Sequence, residues 1–330
     1  MHPHSSEIPL ANCPATRPHM PRRGRRAATI VMLVVVAMVA TACSSATSLR
    51  AARPPAPSVP VVGPEAGVTS RYGTDVSGGS KPTTLAAQAA THAFSAQVDA
   101  DTAAFVAAVV ALASASAIGD IGAARGEQLA AQTHYDAFRV LETGNAVNAS
   151  TLDQLATDVV PTSSFGGLHA VERDLWGSGP LLADVSALAG QAPVAQFLLS
   201  RERLGPEAIA VVAVDQLDWV VDVALPHGQE HYSRLGLVDV VATEQAAHRS
   251  FTTIDLLARM VAPALTATVE GQFTTLDSRI ASLGPANTVP DSSLSTATRL
   301  AVSRQLDVTA STLARLAARL TLFGTAGAPS

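Results

Sequence analysis

The chain has 330 residues, of which 48% are apolar, 15% charged and 4% aromatic, enough apolar material for one or two packed domains and too much for a disordered polymer. Five of the 22 basic residues and one of the 27 acidic residues precede Cys43, which leaves 17 basic against 26 acidic residues, a formal charge of −9, for the remainder. That sign argues against a nucleic-acid partner, whose phosphates demand a basic face, and is compatible with collecting cations.

Residues 20–43 read as a secretion signal: the basic stretch Arg22-Arg23-Gly24-Arg25-Arg26, an apolar run from Ala27 to Ala40, then small residues before a cysteine. The run is shorter than the ~20 residues of a membrane-spanning helix. Ala40-Thr41-Ala42-Cys43 resembles a bacterial lipobox, in which cleavage leaves a lipid-bearing cysteine as the first residue; the alternative is an ordinary cleaved signal with a chance cysteine. Residues 1–42 are thus the expected signal segment, with Met20 as a better start than Met1, and Cys43 the expected lipidation site anchoring the protein outside the cytoplasm. Residues 43–82, with Pro54-Pro55, Pro57, Pro60, Pro64 and Gly78-Gly79, cannot bury a core and predict a tether.

From residue 83 to 330 the pattern is alanine- and leucine-rich and predicts an all-α domain. The expected helices run from Thr84 to Ala117, from Ile121 to Glu142 after a break at Gly119-Asp120, from near Gly167, and over 180–203, 206–224, 235–283 and 292–322. A loop with short helical pieces is expected over 145–165, and Pro263 should kink or split the longest helix. Val211-Val212 and Val220-Val221 are compatible with a strand, but Asp215, Asp218 and Asp222 recur at helical spacing on one side.

Within Gly167-Leu168-His169-Ala170-Val171-Glu172, the histidine and glutamate are three apart and project from one helical face, where they can share a cation. The plainer alternative is a histidine hydrogen-bonded to a glutamate on a helix surface. The segment is neither HExxH nor HxxEH, since Arg173 fills the last position, and nothing resembles GxSxG or a phosphate-cradling loop. His134, His227, His231 and His248 show no ligand spacing among themselves; His231, beside Glu230, is the one worth testing.

Four stretches in order resemble the imelysin-like family, which includes the EfeO and EfeM components of bacterial iron uptake. They are Gly119-Asp120 with Ala123-Ala124 and His134-Tyr135-Asp136; Gly167 to Trp176, similar to the GxHxxE signature; Gly228 to Ser233 with Leu237 and Asp239; and Glu270 to Asp277 with the last amphipathic helix. The likeness covers about residues 85–322. It implies two related four-helix bundles and a metal site where the halves meet, with ligands falling on His169, Glu172, Asp136, Asp153 and Glu230. It further implies iron as cargo, with zinc or manganese as alternatives, and an iron permease and a haem peroxidase as partners. The short tether, with no cupredoxin-like domain, is closer to the EfeM form. Arg139 stands where the family has a second acid, Arg234 where it has a histidine, and Gly236 where an acid is expected. Arg139 either neutralises the remaining acids or marks a lost metal site. The expected role is metal binding rather than catalysis; the rivals are a structural or adhesive surface lipoprotein with a degenerate site and, less favoured, a metallopeptidase.

Overall fold

The computed structural model describes residues 80–142, 149–154 and 165–326, all within one unit, Tyr72–Ser330. The signal segment, Cys43 and the tether as far as residue 79 lie outside the described residues, as does most of the expected loop. The fold is all-α, without a strand among the described residues. In chain order the helices are α1 (Ser80–Ile118), α2 (Ile121–Glu142), the short α3 (Ala149–Leu152), α4 (Leu168–Trp176), α5 (Leu181–Leu199), α6 (Pro206–Trp219), α7 (Leu237–Val261), α8 (Pro263–Ala281) and α9 (Thr296–Ala326).

Small and branched residues at spacings of three and four explain how these helices approach. On α1 the buried stripe is Ala86, Ala90, Phe94, Val98, Thr102, Phe105, Val109 and Leu112, a continuous seam along one side of the helix. α1 packs against α2, α5 and α7. Where it meets α2, Phe105 joins Tyr135 and Phe138, with ring centroids 6.0 and 5.6 Å from Phe105 and 5.4 Å between the two α2 rings. Tilted and edge-on aromatic pairs of this kind contribute roughly 0.5–1.5 kcal/mol each beyond the area they bury.

Two chain breaks have identifiable causes. Gly119 takes φ 75° to end α1. The Asp120 carboxylate then accepts the Ala123 N–H at 3.0 Å, satisfying a donor of the first turn of α2. Pro263 divides the expected long helix in two, because the residue before a proline is pushed out of the α region and Ala262 accordingly sits at φ −147°, ψ 64°. α6 does not stop at Trp219 but passes through a π turn, Val220–Ala224, into a last turn at Leu225–His227. Asp215, Asp218 and Asp222 are exposed along it, in keeping with helix rather than strand.

α7 is the element around which the rest is arranged. It packs against α1 and α2 and also against α6, α8 and α9, while α9 pairs with α6 and α8. α4 bridges α2 and α5. Inside, the Gln216 amide of α6 donates to the Ala137 carbonyl of α2 at 2.9 Å, tying the two helices at the level of the polar cluster described next.

Candidate metal site

The start of α4 is fixed by backbone sterics. Gly167 adopts φ 78°, ψ −160°, a region closed to side chains, and an added Cβ would run into the carbonyls of Thr151 and Leu152. The end of α3, which leads to Asp153, is therefore pressed against the helix that carries His169. A Gly167→Ala variant is expected to lose about 1–3 kcal/mol of stability in urea denaturation, the scale of one such strained residue.

Three donors from two distant segments converge there. His169 and Glu172 lie one turn apart on α4, and Glu230 comes from the segment between α6 and α7; all three residues are essentially excluded from solvent. His169 Nδ1 is 3.6 Å from Glu172 Oε2 and 3.8 Å from Glu230 Oε1. One ligand atom from each can be chosen so that all lie within 4.8 Å of one another. Nδ1, Glu172 Oε2 and Glu230 Oε1 are buried without a hydrogen-bond partner. Glu172 Oε1, in contrast, accepts the backbone N–H groups of Tyr232 and Ser233 at 3.0 and 2.7 Å. Ser233 Oγ lies 3.4 Å from Glu230 Oε2.

Asp153 stands behind the histidine. Its Oδ1 faces His169 Nε2 at 3.0 Å, an ion-pair contact without the alignment of a good hydrogen bond. Its Oδ2 meets Arg139 Nη2 at 2.7 Å, and the same nitrogen is 2.7 Å from Asp136 Oδ1. Asp136 also accepts the Gln132 amide at 3.0 Å. Arg139 is buried, with its guanidinium 3.7 Å over the Trp219 ring. Of the five residues expected from the sequence, His169, Glu172 and Glu230 therefore face one another. Asp153 reaches the back of the imidazole, and Asp136 is held on the other side by Arg139. Arg234, whose φ is 65°, is exposed and lines an open groove with Glu230, His231 and Asp291.

The electrostatics follow from burying more acids than bases. Burial opposes the imidazolium, yet Asp153, then Glu172 and Glu230, hold the His169 pKa well above the ordinary histidine value. Burial likewise opposes the Asp153 carboxylate, but Arg139 and His169 outweigh it and hold its pKa low. Glu230 is raised, by burial first and by Glu172 next. Glu172 is lowered despite burial, through His169 and the Ser233 N–H. Asp239, at the start of α7, is also raised well above the carboxylate range by burial and by Asp136. Neither Asp239 oxygen has a hydrogen-bond partner.

Asp239 and Glu142 were not expected as members of this network. Asp239 had a signal in the sequence, an acid with two aliphatic residues on each side in Leu237-Val238-Asp239-Val240-Val241. Glu142 accepts the Tyr135 hydroxyl at 2.9 Å, and burial pushes its pKa up to about 7, with that hydrogen bond and Arg139 acting downward and Asp153 upward. Because the folded value exceeds the ordinary 4.5, the stability linked to Glu142 is intact below about pH 4.5 and is lost as pH rises through 7. Glu142→Gln keeps an acceptor for Tyr135 and has no charge to bury. It is expected to match the native protein at pH 4.5 and to exceed it by ~1–3 kcal/mol at pH 8 in chemical denaturation.

Comparison with known families and with curated proteins finds no family model that matches the chain and no curated relative.

Proposed function

We propose that the protein is an extracytoplasmic, lipid-anchored metal-binding protein of the imelysin-like class, with a transition-metal ion, iron first, as its cargo. The observation that carries this reading is the set of three inward-facing, hydrogen-bond-orphaned donors, His169 Nδ1, Glu172 Oε2 and Glu230 Oε1. One imidazole and two carboxylates suit Fe(II), Fe(III), Mn(II) or Zn(II), and no soft thiolate competes. Asp153 supports the same reading, since a carboxylate behind a metal-binding imidazole orients the ring and raises its basicity. The lipid on Cys43 comes from the likeness of Ala40-Thr41-Ala42-Cys43 to a lipobox, and the two related four-helix bundles, the iron permease and the haem peroxidase come from the family resemblance. The sharing of α7 between two sets of helices is compatible with it.

Arg139 favours a second reading, a structural or adhesive surface lipoprotein in which a guanidinium has replaced the ion. It takes up Asp136 and half of Asp153, two of the five expected ligands. Calorimetric titration of the purified protein with Fe(II), Fe(III), Zn(II) and Mn(II) separates the two. Binding that depends on His169 supports the carrier; flat titrations with all four ions leave only the Arg139-neutralised bundle.

A further inference from the structure

A second convergence of ligating groups lies away from His169, on the seam between α7 and α8. Glu244 and His248 are four apart on α7 and so share a face, and Asp277 of α8 comes up opposite them. His248 Nδ1 is 3.2 Å from Asp277 Oδ2, and one ligand atom from each of the three residues lies within 4.8 Å of the others. The imidazole is laid flat on Phe273, with centroids 4.4 Å apart and planes 4° from parallel, which fixes the ring's orientation toward Asp277.

We propose that Glu244, His248 and Asp277 form a second metal site, for a borderline divalent ion of the Zn(II) type, open to solvent through the groove between α7 and α8. The case rests on Glu244. The residue is 1% exposed, its Oε1 has no hydrogen-bond partner, and it makes no ion pair among the described residues. A buried carboxyl facing a second carboxyl across a histidine has no structural purpose that leucine would not serve better, whereas a dication satisfies all three groups at once. Burial first, then Asp277, pushes the Glu244 pKa up to about 9, against a smaller downward pull from Arg249.

The donor set also has the right reach. Tetrahedral ligands about 2.0–2.2 Å from zinc stand roughly 3.3–3.5 Å apart. The His248–Asp277 separation of 3.2 Å is already close to that, and the two edges to Glu244 are no longer than 4.8 Å. The His248 and Asp277 side chains are 37% and 43% exposed and border a groove of about 660 Å³, which gives an ion a way in and leaves room for a water ligand. Arg249, the basic residue of that groove, is drawn aside by Asp101 of α1 at 3.3 Å.

The test uses the full chain carrying Glu172→Gln, in which the His169 site is disabled, titrated with Zn(II) by calorimetry and with Co(II) by visible absorption. One equivalent should remain, with cobalt bands typical of low coordination number. Adding His248→Ala or Asp277→Asn, both at half-exposed positions, should weaken it at least ~10–100-fold while helical circular dichroism is unchanged. Retention of the ion by both double variants, or no zinc bound in the Glu172→Gln background, overturns the site. In the otherwise native chain, His248→Ala should leave the His169 ion in place, so failure of one site is distinguishable from failure of the other.

Discussion

If His169 holds a metal ion as proposed, substituting it by alanine is expected to weaken binding of that ion more than 100-fold, about 3 kcal/mol or more. Removing a residue that merely stands behind a ligand already costs ~10–100-fold, and His169 supplies the one nitrogen donor of the cluster. Glu172→Gln makes a cleaner probe. Its amide oxygen still accepts the Tyr232 and Ser233 N–H groups, so the segment after α6 keeps its anchor while the anionic oxygen facing Nδ1 is lost. Asp153→Asn should fall in the 10–100-fold range, because it loosens the imidazole without removing a donor. Calorimetry on the three variants gives the ordering. Equal affinity in His169→Ala and the native protein means that the ion sits elsewhere.

The second large effect concerns folding. Arg139→Met is expected to destabilise the protein by ~3–5 kcal/mol, the scale of breaking a buried ion pair from one side. Asp136 and Asp153 would each lose a contact of 2.7 Å and be left as acids in a closed interior. Loss of the guanidinium from the Trp219 face should alter that indole's emission, so guanidinium denaturation followed by fluorescence reports both site and stability. Adding Asp136→Asn and Asp153→Asn should recover most of the loss, since the charges that needed Arg139 are then gone. A loss below about 1 kcal/mol in the single variant would mean that water, not Arg139, balances these acids.

The contrast between the two clusters explains what could be seen in advance. α2 was legible to the residue because its start is encoded locally, by a glycine able to take positive φ and an aspartate that caps the next turn. The end of α6 was not: a π turn packed against α7 and α9 carries the helix past residue 224 to His227. His169 and Glu172 could be paired because one helical turn joins them. Glu244 and His248 are also one turn apart, but their third partner, Asp277, approaches from a separate helix and leaves no local signature. Arg139 could be flagged as a misfit, but that it forks between Asp136 and Asp153 required the fold, in which the end of α3 is brought beside α2.

Glu172 has one oxygen tied to two backbone amides and only the other turned inward. An ion seated beside His169 would therefore meet one free oxygen of this carboxylate, with His169 Nδ1 and Glu230 Oε1 as the neighbouring unpartnered donors. Four to six bonds are usual for the metals considered, so vacant corners of the polyhedron fall to water or to an acceptor's own side chains. On the reading proposed above, open corners of this kind would let the chain surrender an ion by ligand exchange, without unfolding a helix.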